Sequence, residues 1–493
     1  MTFRRFIRDR AGAVAVLVAL ASIPVAASAA LAVDLGLAYV VRSRLITAID
    51  AAALAGTRSI SSPTRDAEIR SWFWANYGRA DINRNVGWLG TEIEGPIIAV
   101  EDEGRQVRVS VNARVPTVFM RLFGQDSLTV GVENVARRAE LGMELSLVLD
   151  ITGSMAGSKI ASLRDAATEL VTILYGSRET VNNLWVAVVP YVASVNLGSQ
   201  HTGWLVAGSL NPNAYLNRTW SGCVEARHAN GHDRTDATPS EVPFRPYLWV
   251  STRNKYSVKG DNDWTASTIT EQNQASLPDN TAVGPNLGCG TPVLPLTAAK
   301  STVLSRIAAL QATFRGGTMA NLGLQAGWFT LSPRWRGLWG DASLPNVYDH
   351  ELIRKVVVMM TDGENQWYDW PGGAPGSGPS GWTDDNDADY TAYGRIKENR
   401  LGLTGAQSSW RGATGRAATE INARMSQLCT AMKAQNIMIY TVVFNVASNS
   451  PAQALYQGCA TTPQHYFNSP TQADLRAAFR AIGEQLANLR LTQ

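Results

Sequence analysis

The 493-residue sequence is short of charge, cysteine and histidine. Lys and Arg number 44 and Asp and Glu 41, so the net charge is +3 and charged residues make up 17%, against about 25% in an average soluble domain. No dense basic stripe is present, which argues against nucleic acid as the main partner. The four cysteines form no C-x-x-C pair. So few thiols in so long a chain build neither a disulfide scaffold nor a thiolate zinc site. Among the five histidines, His228 and His232 have the spacing of a helical metal pair, yet Asn230-Gly231 between them breaks a helix. Asp385-Asn386-Asp387-Ala388-Asp389 imitates the start of a calcium loop, but Tyr390 stands where the turn needs Gly and Ile396 where a bidentate Glu belongs. No G-x-S-x-G elbow, Walker loop or G-x-G-x-x-G occurs, and no Ser/His/Asp set stands out, so the reading is non-enzymatic.

Apolar residues, by contrast, reach 45%, enough for a large core, and the length suggests two to four domains. Arg4, Arg5, Arg8 and Arg10 precede an uncharged run from Ala11 to Val33. Its roughly 23 residues make about 35 Å of helix, enough for a hydrocarbon core of about 30 Å. The arginines before the run and Asp34 after it predict a cytoplasmic N-terminus with the bulk of the chain outside. Pro24 is expected to kink the helix. A cleaved signal peptide is the alternative, with Ala27-Ser28-Ala29 as its cleavage site, and Arg4-Arg5 loosely resembles a twin-arginine signal. The anchor is preferred because apolar character resumes from Leu35 to Val41 and continues as an Ala-rich amphipathic helix from Leu45 to Ala55.

Three regions follow from the patterning: 1–62, the stub, membrane helix and its extension; 63–140, a small strand-rich α/β module; and 141–493. A linker is expected from Gly56 to about Arg65 and a short amphipathic helix from Pro116 to Phe123. In the third region short apolar strands (Leu145–Leu149, Trp185–Val192, Lys355–Met360, Ile437–Phe444) alternate with helices (Ser158–Tyr175, Leu296–Thr313, Asn321–Leu331, Thr419–Ala434, Thr471–Leu489). That alternation predicts an α/β fold with a mostly parallel sheet covered on both faces. Insertions near 195–295 and 366–416, rich in Gly, Asn, Asp, Pro and Trp, interrupt it.

Asp150-Ile151-Thr152-Gly153-Ser154 follows the strand Leu145–Leu149 directly, at the carboxyl end where ligands bind in open parallel sheets. One carboxylate and two hydroxyls are hard oxygen donors suited to Mg²⁺ or Mn²⁺. Gly316-Gly317-Thr318 opens a helix and Thr361-Asp362-Gly363 follows the strand Lys355–Met360. In that order these elements resemble the metal-ion-dependent adhesion site of von Willebrand factor type A domains. The resemblance implies a doubly wound, mostly parallel sheet and a divalent cation held by Asp150, Thr152, Ser154, Thr318 and Asp362. It also implies an open metal position that a partner's carboxylate fills.

A second resemblance rests on Arg10-Ala11-Gly12-Ala13-Val14-Ala15, the proline inside the apolar run, Ala32-Val33-Asp34 and Ala48-Ile49-Asp50-Ala51-Ala52-Ala53-Leu54-Ala55-Gly56. Tyr440-Thr441-Val442, Cys459-Ala460 and Leu489-Arg490-Leu491 add to it. These segments resemble TadG-like proteins of the tight-adherence (Flp) pilus system. Membership implies a bacterial inner-membrane anchor, a periplasmic or surface-exposed A domain, and partners among pilus or secretion-machinery components. Where pilin-like relatives carry a Glu five positions after the Gly, Leu17 stands here, which speaks against prepilin-peptidase cleavage. The competing functions are a self-standing surface adhesin for host or matrix ligands and, behind it, a hydrolase using the insertions. In an oxidising compartment the thiols pair, and proximity along the chain gives Cys223 with Cys289 and Cys429 with Cys459.

Overall fold

The computed structural model describes residues 10–59, 62–81, 85–101, 106–137, 141–210, 219–248, 285–313, 316–368, 390–404, 413–447 and 450–491. The N-terminal arginines at 4, 5 and 8 and the acidic run 385–389 lie outside them. The chain divides into two compact units, 1–140 with the last three residues, and 141–490.

In the small unit, helix α1 (Arg10–Arg58) is continuous. It passes through Pro24 and takes in only the first three residues, Gly56 to Arg58, of the stretch expected to be a linker. At about 1.5 Å per residue it is about 74 Å long. Its two parts differ in surroundings: none of residues 16–33 is buried, whereas Val41, Leu45, Ala48, Ile49, Ala52 and Ala53 share a core with Ile69, Phe73, Val107, Val109 and Val111. The segment Val16–Thr57 contains a stretch long and apolar enough to cross a membrane. Helix α2 (Arg65–Tyr77) and the strands β1 (Arg79–Asp81), β2 (Val86–Gly87), β3 (Glu92–Glu101), β4 (Gln106–Pro116) and β5 (Ser127–Arg137) complete this unit. The strands form one antiparallel sheet in chain order. On β4 buried and outward residues alternate, as expected when one sheet face meets a helix. The helix expected from Pro116 to Phe123 is instead the end of β4 and a 3₁₀ turn, Met120–Phe123.

The large unit is built on a sheet in the order β15-β14-β12-β6-β7-β8-β9, with β10 against β7. Here β6 is Gly142–Asp150, β7 Leu184–Tyr191, β8 Val195–Asn196, β9 Cys223–Val224, β10 Leu294–Thr297, β12 Ile353–Thr361, β14 Met438–Phe444 and β15 Tyr466–Ser469. The five strands from β15 to β7 are parallel; β8, β9 and β10 join antiparallel. The pair β11 (Gly317–Thr318) and β13 (Gln366–Trp367) stands apart. All nine residues of β6 are buried, as a parallel strand covered on both faces requires. Leu145, Leu147 and Leu149 pack into one core with α3 (Ser158–Tyr175), α4 (Lys300–Ala308) and α8 (Gln472–Leu491). Val148 meets the opposite core with α5 (Ala320–Leu331), α6 (Ala413–Ala434) and α7 (Pro451–Cys459). The sheet is therefore doubly wound. Truncating any one of these leucines to Ala would cost about 2–5 kcal/mol.

Some elements depart from the sequence pattern. The expected helix Leu296–Thr313 is β10 followed by α4, because Leu294 and Thr297 pair with β7 and Glu179, far back in sequence, accepts from the Ser301 N–H at the helix start (3.0 Å). Helix α7 and strand β15 carry no strong periodic signal and were not expected. Cys223 is bonded to Cys289 and Cys429 to Cys459, closing loops of 66 and 30 residues.

Candidate metal centre

Strand β6 ends at Asp150, fully buried, and the chain turns at once into a 3₁₀ segment, Gly153–Met155. The turn is closed by the carboxylate itself, whose Oδ1 accepts from the Thr152 N–H (2.9 Å) and the Thr152 hydroxyl (2.7 Å). Thr152 Oγ1 lies 2.9 Å from Ser154 Oγ, and Ser154 donates to Asp362 Oδ1 at 2.7 Å. Asp362 follows the neighbouring strand β12. Its preceding residue, Thr361, donates to Asp150 Oδ2 at 2.9 Å. The single proton of each hydroxyl is thus committed to a carboxylate, that of Thr152 to Asp150 and that of Ser154 to Asp362, and the close Thr152–Ser154 oxygen contact joins the four residues in one cluster. Ser154 alone of these four is exposed, so the cluster opens to solvent there.

Thr318 is placed differently. Gly316 and Gly317 adopt φ of +86° and +101°, and a Cβ on Gly317 would come within 2.1 Å of Gln366 O. Only glycine allows the β11 backbone to run this close to β13, where Thr318 pairs with Gln366. Thr318 is buried, but among the described residues no hydrogen bond joins its side chain to the other four.

Burial and the like charge of Asp362 raise the Asp150 carboxyl from its ordinary 3.8 to about 6. A cation does reach the cluster: Lys159, on the first turn of α3, places Nζ 2.7 Å from Asp362 Oδ2. No motif pointed to Lys159 or to the Thr361 hydroxyl as part of the site. A lysine near the start of a helix is an ordinary surface residue by sequence, and its target lies 203 positions away. Two carboxylates and one ammonium leave a net negative cluster of hard oxygens. That donor set fits a divalent cation such as Mg²⁺ or Mn²⁺. Among the described residues no three His, Cys, Asp or Glu side chains gather in a metal-binding group, so hydroxyls have to complete any coordination here.

Residues 12–59 match the Flp pilus-assembly TadE/G-like family (Tad). The N-terminal segment is TadE/G-like. This TadE/G-like segment coincides almost entirely with α1, and the large unit that follows it in sequence is a doubly wound, mostly parallel sheet. No curated protein matches the chain. Similar solved structures include the vWF domain of the type V pili tip protein Mfa5 from Porphyromonas gingivalis, at 10% identity and TM-score 0.34, covering 70% of this chain and 95% of that one. The pilus adhesin SpaC from Lactobacillus rhamnosus GG aligns at 10% identity and TM-score 0.35, over 84% of this chain and 36% of the adhesin. The PilB minor pilin from Streptococcus sanguinis aligns at 11% identity and TM-score 0.34, over 81% and 79%. At these scores the likenesses carry no weight beyond the topology already described.

Proposed function

We propose that this chain is a membrane-anchored, non-enzymatic component of a bacterial pilus-assembly or adhesion machinery, which holds a protein partner through a divalent cation at the Asp150 site. The observation that carries this reading is the cluster of oxygens in which Thr152 donates to buried Asp150, Ser154 donates to Asp362 and the two hydroxyl oxygens lie 2.9 Å apart, open to solvent at Ser154. Asp150 and Asp362 would hold the ion, with Thr152, Ser154 and Thr318 as hydroxyl donors. When bound, the ion would neutralise the two carboxylates and present an open position to a carboxylate of the partner. The backbone of β6 and β12 fixes the two aspartates, and Thr361 orients Asp150 from below. The TadE/G-like segment supports pilus or secretion-machinery components as the partner class. The apolar run of α1 supports an inner-membrane anchor, crossed once, with the large unit periplasmic or at the surface.

Titration of the full chain in detergent with Mg²⁺ or Mn²⁺ tests the site. Asp362→Ala should abolish binding while circular dichroism stays unchanged, because Asp362 lies in a loop beyond the strand. Unchanged affinity in that variant would refute the assignment.

A further inference from the structure

We propose that the turn between β4 and β5, Val118 to Phe123, seats in the lipid bilayer beside α1, so that the small unit holds the membrane at two points. This rests on the reading of α1 as a membrane anchor. Asp34 closes the uncharged run of α1 and is only 2% exposed. Its carboxylate accepts the backbone N–H groups of Val118 (2.8 Å), Phe119 (3.0 Å) and Met120 (2.7 Å). Those bonds pin the turn at the level where the apolar run ends. With its backbone held inward, the turn points bulky apolar side chains outward: Leu122 is 77% and Phe123 75% exposed, and Val118 and Phe119 are exposed as well. A water-facing module has no reason to present four such residues in six positions.

Position identifies what covers them. A hollow is lined by Ala27, Ala30 and Leu31 of α1, by Met120 and Phe123 of the turn, by Gln125 just after it and by Leu128 of β5. Ala27 to Leu31 lie three to seven residues before Asp34, about 5–10 Å further down the apolar run. Phe123 therefore reaches below Asp34, alongside helix residues that face hydrocarbon in the anchored state. The turn and the exposed apolar surface of Val16 to Val33 form one continuous patch. Arg121, exposed and the single charged residue of the turn, suits phosphate headgroups at that level. Tyr39, 72% exposed and five residues beyond Asp34, suits the headgroup zone above it. Lipid headgroups and upper acyl chains are thus the occupant this surface fits.

Labelling with an environment-sensitive fluorophore decides the matter in the full chain, reconstituted into vesicles of equal parts phosphatidylcholine and phosphatidylglycerol. Because the four native cysteines are paired, a single added thiol takes the label. Leu122→Cys should emit to the blue and lose most of its emission to a nitroxide placed high on the acyl chain. Leu20→Cys should respond to a nitroxide placed deep, and Ala67→Cys, exposed on α2, to neither. Quenching at 20 without quenching at 122 overturns the proposal and leaves the anchor standing. Absence of quenching at both positions removes the anchor and the proposal together. A blue-shifted label at 122 that ignores nitroxide lipids means that protein, a second copy or a partner, covers the turn, and also overturns the proposal.

Discussion

Strand β6 carries a buried carboxylate at each end, and the chain treats the two in opposite ways. At the amino end Glu144 is paired in register with Lys355 on β12, and the two side chains form a buried ion pair. Asn346 donates to the same carboxylate from its backbone N–H (2.6 Å) and its side-chain amide (2.8 Å). At the carboxyl end Asp150 receives hydroxyls and one backbone N–H, faces the like charge of Asp362, and has no cationic partner of its own among the described residues. Glu144 is compensated by its own chain; Asp150 is held in readiness for charge from elsewhere. Equal burial on one strand thus separates a carboxylate compensated within the chain from one that, on the proposed reading, serves a ligand.

The contrast can be broken at either end. Glu144→Ala would leave the Lys355 ammonium buried and unpaired, and burial already pulls its pKa down. The expected cost is about 3–5 kcal/mol, read as a lower denaturation midpoint with no change in metal binding. Asp150→Asn should act with the opposite sign. The raised carboxyl means that the metal-free fold holds this proton more tightly than the unfolded chain. Its stabilising contribution is present below about pH 4 and is lost as pH rises through about 6. Metal-free protein should therefore melt higher at pH 5 than at pH 7, by an amount that Asp150→Asn removes. The substitution should itself stabilise the metal-free fold at pH 7 by on the order of 2–3 kcal/mol, read as a higher midpoint, while abolishing Mg²⁺ binding. Destabilisation of similar size by both substitutions would erase the distinction. The smallest effect is expected at Lys159, whose ammonium competes with any cation for Asp362. Lys159→Met should tighten Mg²⁺ binding roughly fivefold, about 1 kcal/mol, and calorimetric titration reads it; weaker binding would mean that the lysine supports the site.

What could be read from the sequence was local. Asp150-x-Thr152-x-Ser154 announces itself by chemistry within five residues, and β6, β12 and β14 each carry a mostly apolar stretch of the kind that doubly covered parallel strands need. What escaped depended on distance. The Glu144–Lys355 pair spans 211 positions and exists only through strand register. Lys159 acquires its meaning only when β12 delivers Asp362 beside it. The turn Val118 to Phe123 looked like an amphipathic helix because a short apolar run has no period long enough to distinguish a buried stripe from an exposed one. The start of α4 was hidden because Glu179, not its own sequence, holds its first turn.

The continuity of α1 has a mechanical consequence. One helix is both the apolar run and the element against which the five-stranded sheet packs, with no swivel at Asp34 because three backbone hydrogen bonds clamp it there. Tilt or rotation of the run within its surroundings is therefore passed to the small unit as torque, and a pull on that unit loads the whole length of the helix rather than a linker.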